Sequence, residues 1–294
     1  MSWSVEELDA TTWQPRAADH AARLAPYVGP HLERRSRGER HPVHDFLFSY
    51  YSQRPAQLLR WHPGFGTRLR DAAAYDALGG YADGTVTRDV LEAKRPLLEA
   101  THRLLVATAS RPANTGCFGL HEWAMVYRAA ESDTGTRHPQ QLRLGGAGTD
   151  TVVESHRIAC SHFDAYRFFT DQARPRNTLR PGSEDRPDFE QPGCLHAGMD
   201  LYQHAFRLSP LVPSDLVADC FELAWDIRIL DMRAAPYDLV GVGLDPTGGL
   251  WTPVRIETAA GKQEYAAAQR GFAERGAPLR QRIIEECQRL TADV

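Results

Sequence analysis

Leu216, Cys220, Leu223, Ile227 and Leu230 recur at alternating steps of four and three, which lays one apolar stripe along a helix from Asp215 to Met232. Such a stripe has to be covered, so the chain must supply further helices to pack on it. Leu195 to Leu208 reads as a second clear helix, and Asp89 to Ser110 as a third, with Val90, Leu97, Leu98, Leu104 and Leu105 apolar and Pro96 an expected kink. Ala18 to Glu33 has Ala21, Leu24 and Val28 at helical spacing, while Pro26 and Pro30 predict kinking or shortening. Short apolar helices are expected at Phe46 to Ser52, Pro55 to Trp61 and Phe118 to Tyr127, and two separate helices at Lys262 to Ala273 and Pro278 to Leu290. Ser161 and Asp164 have the S-x-x-D spacing of a helix cap and predict a helix running through Phe169.

Strand signals are fewer. Gln141 to Leu144 and Thr151 to Cys160 flank a GGAGTD turn and read as a hairpin, and Pro253 to Thr258 reads as a strand. The expected architecture is mainly α, a multi-helix, bundle-like domain with a small antiparallel β element. An N-terminal helical arm is expected over 1–40 and a single helical catalytic domain over 41–294. Two polar loops interrupt it, Ser132 to Gln140 and Arg174 to Gly193; the second has four prolines and eight charged residues, and a stretch of that kind is commonly functional or mobile.

The 294 residues are 42% hydrophobic and 24% charged, which excludes disordered, collagen-like and coiled-coil chains. A net charge of -4 gives nucleic-acid phosphates no general positive field, so DNA as a partner would need a local basic patch. Five widely spaced cysteines without a CxxC pair argue against a disulfide framework or a thiolate zinc site and suit a reducing compartment, hence the cytoplasm. The first residues lack a signal-peptide pattern, and no eighteen apolar residues run together, so no membrane partner is expected.

Twelve histidines, several beside carboxylates, carry the chemistry. His196, Asp200 and His204 fall at intervals of four, so a helix sets them on adjacent turns of one face. Imidazole and carboxylate together suit iron, manganese or zinc, and the expected cofactor is a divalent metal, iron foremost, serving a small-molecule substrate. His121, Glu122 and His162 are the candidates of the right chemical type to complete the site from other helices. The metal set is thus His196, Asp200, His204, His162 and His121, with Glu122 and Asp164 as acid or base. The alternative is a polar core in which the same side chains hydrogen-bond to neighbours.

Asp219, Glu222 and Asp226 form a carboxylate line that is either a solvated face or, with Asp226 buried against Trp225, a general base. Trp123, Tyr166 and Trp225 are candidate substrate contacts, and Arg176 and Arg228 candidates for an anionic substrate group, with Arg174, Arg180 and Arg233 available beside them. GGAGTD lacks the residues of a phosphate loop, Ser161–His162 lacks the glycines of a nucleophile elbow, and Cys160, Cys194 and Cys220 read as small core residues.

The H-x3-D-x3-H string from His196 to His204 is similar to the third metal-binding helix of haem-oxygenase-like diiron oxidases. Longer strings, HPVHDFLFSYYSQRPAQLLRWHPG, GCFGLHEWAMVYR, CSHFDAYRFF, QPGCLHAGMDLY and DIRILDMRAAPYDL, resemble an actinobacterial family usually labelled 3-methyladenine DNA glycosylase, from about His41 to the C-terminus. LVGVGLDPTGG at Leu239 to Gly249 superficially resembles the hairpin of helix-hairpin-helix proteins. The first resemblance implies a metal-dependent oxidoreductase or hydrolase. The second implies an N-glycosylase that stacks a damaged base on Trp61, Trp123, Tyr166 or Trp225 while Asp226, Asp200 or Asp164 activates water. A non-catalytic binding protein is the third expectation. On the metal reading, His196, Asp200 and His204 share a cleft with at least one of His121, Glu122 and His162.

Overall fold

A computed structural model describes residues 5–129, 140–244 and 249–292. The fold is mainly α with one small four-stranded sheet. The chain divides into two compact units, the first built from residues 1–106, 200–225 and 278–294, the second from 107–199 and 226–277.

The first unit opens with β1 (Glu6–Leu8) and α1 (Ala10–Ser36), whose start is capped by Asp9 accepting from the Thr12 amide. α1 runs unbroken through Pro15, Pro26 and Pro30, so the expected shortening does not occur; Leu24 and Val28 are buried on its inner face as the spacing required. There follow α2 (Asp45–Ser49), α3 (Pro55–Leu58), β2 (Thr67–Leu69), α4 (Ala73–Asp76), β3 (Tyr81–Ala82), β4 (Thr85–Val86) and α5 (Arg88–Ala109). The sheet order is β1-β2-β4-β3, with β1 parallel to β2 and the remaining pairs antiparallel, so the sheet is mixed. Its tight hairpin turns on Asp83 and Gly84, both at positive φ, the backbone that a two-residue hairpin with right-handed strand twist requires. Gly84 is also the only residue that fits there, because a Cβ would lie 2.0 Å from the Leu69 carbonyl oxygen.

The second unit contains α6 (Leu120–Ala124), α7 (Gly145–Glu154), α8 (Phe163–Tyr166) and α9 (Arg186–Phe189). α10 (Leu195–Leu208), α11 (Ser214–Ala234) and α12 (Ala259–Thr291) each contribute residues to both units. On α11 the whole expected stripe is buried, from Leu216 to Leu230. α12 merges the two helices expected at the C-terminus. Pro278 interrupts its hydrogen bonding on an exposed face, where water can satisfy the carbonyl left without a partner.

Both strand expectations of the second unit fail. The hairpin around GGAGTD is instead α7. Thr149 and Thr151 turn their hydroxyls back to the Gly145 and Ala147 carbonyls, and Thr149, Val152 and Val153 are buried, so packing overrides the β preference of the run. Residues 253–258 form no strand; the Val254 amide donates to the Arg233 carbonyl at the end of α11. The cap of α8 is His162 rather than Ser161, and Asp164 pairs with Arg167 at 3.0 Å. Most of the loop expected at Ser132 to Gln140, and residues 245–248 of the LVGVGLDPTGG string, lie outside the described residues. The long 174–193 loop is tethered by Asn177, which is 1% exposed. Its amide accepts from the Cys160 N–H at 2.7 Å and donates to the Cys160 carbonyl at 2.9 Å. Among the described residues, no helix is long and apolar enough to cross a membrane.

Candidate metal centre

α6 is five residues long and every one of its residues is buried, so His121 and Glu122 enter the interior of the second unit. Its entry is a tight turn in which Phe118 and Gly119 both have positive φ. Its exit is fixed by Trp123, whose indole N–H donates to the Ala234 carbonyl at 2.9 Å and satisfies one of the acceptors that the end of α11 leaves over. Two buried polar side chains on so short a helix require partners inside. α11 supplies them from Arg228 and Asp231, one turn apart, and α10 supplies His196 from its first turn.

The result is a compact polar group in an otherwise apolar interior. His121 Nε2 lies 3.0 Å from Asp231 Oδ1, and the His121 and His196 rings meet edge to face with centroids 4.5 Å apart. One ligand-type atom from each of His121, His196 and Asp231 lies within 4.8 Å of the other two. Arg228 Nη1 donates to Asp231 Oδ2 at 2.8 Å and to Glu122 Oε1 at 3.3 Å. The His162 ring lies 5.3 Å from that of His196, and its Nε2 lies 3.5 Å from Glu190 Oε1, a carboxylate that Arg186 also engages.

His121 Nε2 and Asp231 Oδ1 are both buried and face each other at 3.0 Å, and neither has a further hydrogen-bond partner. Burial acts to lower the His121 pKa, but the facing Asp231 and Glu122 charges outweigh it and hold the ring's affinity for a proton above its ordinary value. Burial likewise acts to raise Asp231, but His121 and Arg228 hold it well below the usual carboxylate range. The pocket is therefore built for positive charge beside Asp231, whether a proton or a cation provides it.

Beside the group lies a narrow recess of about 20 Å³, lined by His121, His196, Cys117, Cys160, Cys194 and Gln191 among others. The five cysteines are free. Burial pushes the Cys160 thiol up to about 12 and Cys194 well above its ordinary value, so both stay protonated and neither is a ready nucleophile.

Comparison of the chain with protein-family models, curated proteins and solved structures gives no match. The site's own residues must carry its interpretation.

Of the H-x3-D-x3-H string, His196 alone belongs to the compact group. Asp200 and His204 are buried in the first unit, where Asp200 accepts from the Tyr51 hydroxyl at 2.9 Å. Arg228, expected to bind an anionic substrate, is 1% exposed and neutralises two carboxylates. Asp226 is about half exposed and paired with Arg275 at 2.6 Å, so it lacks the burial that a raised pKa would need. Asp219 and Glu222 pair with Arg23, so the carboxylate line is a partly solvated ionic face. Asp164 pairs with Arg167, Arg176 stacks over Tyr127 and approaches Glu154, and Tyr166 packs on Phe169. Trp225 is buried against His44, and Trp123 lies fully buried beneath the Arg143 guanidinium.

The spacing patterns of the sequence assign Asp231 no role. The signal was present, because Asp231 stands four residues after Ile227 and so falls on the apolar stripe of α11, where an acid demands a buried partner.

Proposed function

We propose that this protein is a metal-dependent enzyme acting on a small molecule, with a divalent cation held by His121, His196 and Asp231. The observation that carries the reading is the convergence of two imidazoles and one carboxylate, all buried, with one ligand-type atom of each within 4.8 Å of the others. Two histidines and one carboxylate form the ligand set of non-haem iron(II) sites, which makes iron the first candidate before zinc or manganese. Bound there, a divalent ion supplies Lewis acidity and open positions for water, dioxygen or substrate. Arg228 anchors the Asp231 oxygen on the far side from His121 and holds Glu122 in place, the kind of outer support that ligating carboxylates have. The recess beside His121 and His196 admits a water-sized molecule, and the two protonated thiols keep its wall weakly polar. The glycosylase reading has less behind it, since Trp61, Trp123 and Trp225 are buried in the core rather than forming an open wall for a flipped base.

The test is elemental analysis of protein purified without chelator or affinity tag, followed by anaerobic reconstitution with iron, manganese and zinc separately. Near-stoichiometric metal is expected in the wild type and in Asp200→Asn and His204→Ala. It should fall below a tenth in His121→Ala, His196→Ala and Asp231→Asn proteins whose circular dichroism is unchanged. Folded wild-type protein that takes up none of the three metals overturns the proposal.

A further inference from the structure

The first unit holds a second, larger cleft of about 650 Å³, partly open to solvent and large enough for a ligand of ordinary metabolite size. Arg60, Lys94 and Arg207 line it, and no Asp or Glu does. Among the described residues none of the three cations has a carboxylate partner; Lys94 Nζ donates instead to the Arg207 carbonyl at 2.5 Å. Lys94 is partly buried, and desolvation together with the Arg207 charge lowers its pKa, as expected for positive charge with no counter-ion.

Gln53 is the second observation. It lines the same cleft, is 5% exposed, and both its amide nitrogen and its amide oxygen lack a hydrogen-bond partner. A buried primary amide with neither function satisfied is rare in folded proteins and calls for a partner outside the chain. The residue before it, Ser52, is held at φ 54°, a left-handed conformation that is strained for serine. Tyr51 and Gln53, on either side of that strained residue, both line the cleft. Tyr81 and Phe206 add further aromatic surface, and His62, bonded through Nδ1 to the Tyr81 hydroxyl, is kept neutral by burial and by Arg60.

We propose that this cleft is a binding site for an organic phosphate carrying a planar heterocycle, the chemistry of a nucleoside monophosphate. Three unpaired cations match one phosphate group. An amide with a free donor and a free acceptor matches the paired donor and acceptor on the edge of a heterocycle, and the half-buried Phe206 offers a face for its ring. The site uses no residue of the metal centre and stands independently of it.

Isothermal titration of the full chain with the four common ribonucleoside monophosphates tests the proposal, with each matching nucleoside and inorganic phosphate alone as the separate arms. At least one nucleotide is expected to bind, with its nucleoside and free phosphate each at least tenfold weaker and its affinity falling as salt rises. Arg207→Ser, a change at an exposed position, is expected to weaken binding about tenfold. Gln53→Leu is expected to weaken it by a similar factor while leaving the melting temperature of the unliganded protein unchanged or raised, since no protein hydrogen bond is lost. Absence of binding by all four nucleotides overturns the proposal. So does inorganic phosphate binding as tightly as the nucleotide, or undiminished affinity in Arg207→Ser. Metal content in both variants is expected to equal that of the wild type, which keeps this result separate from the fate of the metal centre.

Discussion

Arg228→Met removes the one guanidinium that stands between two buried carboxylates. Arg228 is 1% exposed, with Nη1 2.8 Å from Asp231 Oδ2 and 3.3 Å from Glu122 Oε1. Deleting one member of a buried ion pair costs about 3–5 kcal/mol, because the charge left behind has neither partner nor water. Two features place this case at the lower end. His121 still faces Asp231 at 3.0 Å, and methionine refills much of the arginine stem's volume in apolar surroundings. The expected loss is about 3 kcal/mol; for a chain of this size, with a urea slope of about 3 kcal/mol per molar, the midpoint falls by about 1 M. The assay is urea unfolding followed by tryptophan fluorescence and far-ultraviolet circular dichroism together, in excess chelator so that no cation replaces the lost charge. Arg23→Met is the matched control. Its guanidinium bridges Asp219 and Glu222 at 2.7 and 2.6 Å, shorter than the contacts of Arg228, but its side chain is 36% exposed. Solvent screening holds that loss below about 1 kcal/mol. Equal shifts in the two variants would refute the argument, because burial and not distance is claimed to set the cost.

Two further predictions concern positions outside the metal centre. Burial, reinforced by Arg60 and His20, brings His62 down to about 4 from its ordinary 6.5, so its ring proton should titrate near pH 4 by NMR in the folded protein. The folded ring binds its proton less tightly than the unfolded one. Its contribution to stability is therefore complete above pH 6.5 and declines as the pH falls from there toward 4, and His62→Phe should flatten that slope. Gly193→Ala places a Cβ 2.7–3.0 Å from the Asn114 backbone just ahead of α10, which should cost roughly 1–3 kcal/mol in urea unfolding. A variant as stable as the wild type would mean that the Asn114 segment yields freely.

Helices were legible where one face had to be apolar. α10 runs over Leu195–Leu208 as its pattern required, and α11 and α5 lie within two residues of the expected bounds, because long amphipathic periodicity has few other solutions. The β signals were misassigned for a traceable reason. Intrinsic preference favours a strand at Thr151, Val152 and Val153, whereas burial of Val152 and Val153 inside the second unit decides for helix. The Asp83–Gly84 pair between Tyr81 and Val86 is the stronger hairpin signal in the chain and marks the hairpin that forms.

The site divides in the same way. From the sequence alone came its chemical vocabulary: histidines beside acids, His196 on a well-defined helix, and His121 and His162 as candidates to meet it. Helical spacing reports only which residues share a face, so it grouped His196 with Asp200 and His204, one and two turns along the same helix. Which of those turns meets another polar group depends on what packs against each turn of the helix, and that is a tertiary fact. The first turn of α10 meets α6 and the end of α11, so His196 finds His121, 75 residues before it, and Asp231, 35 residues after it, while Asp200 finds Tyr51. Composition and periodicity determined that this chain would bury apolar helix faces and carry histidines beside acids; only the packing of three short helical stretches decided which histidines and which acid would meet.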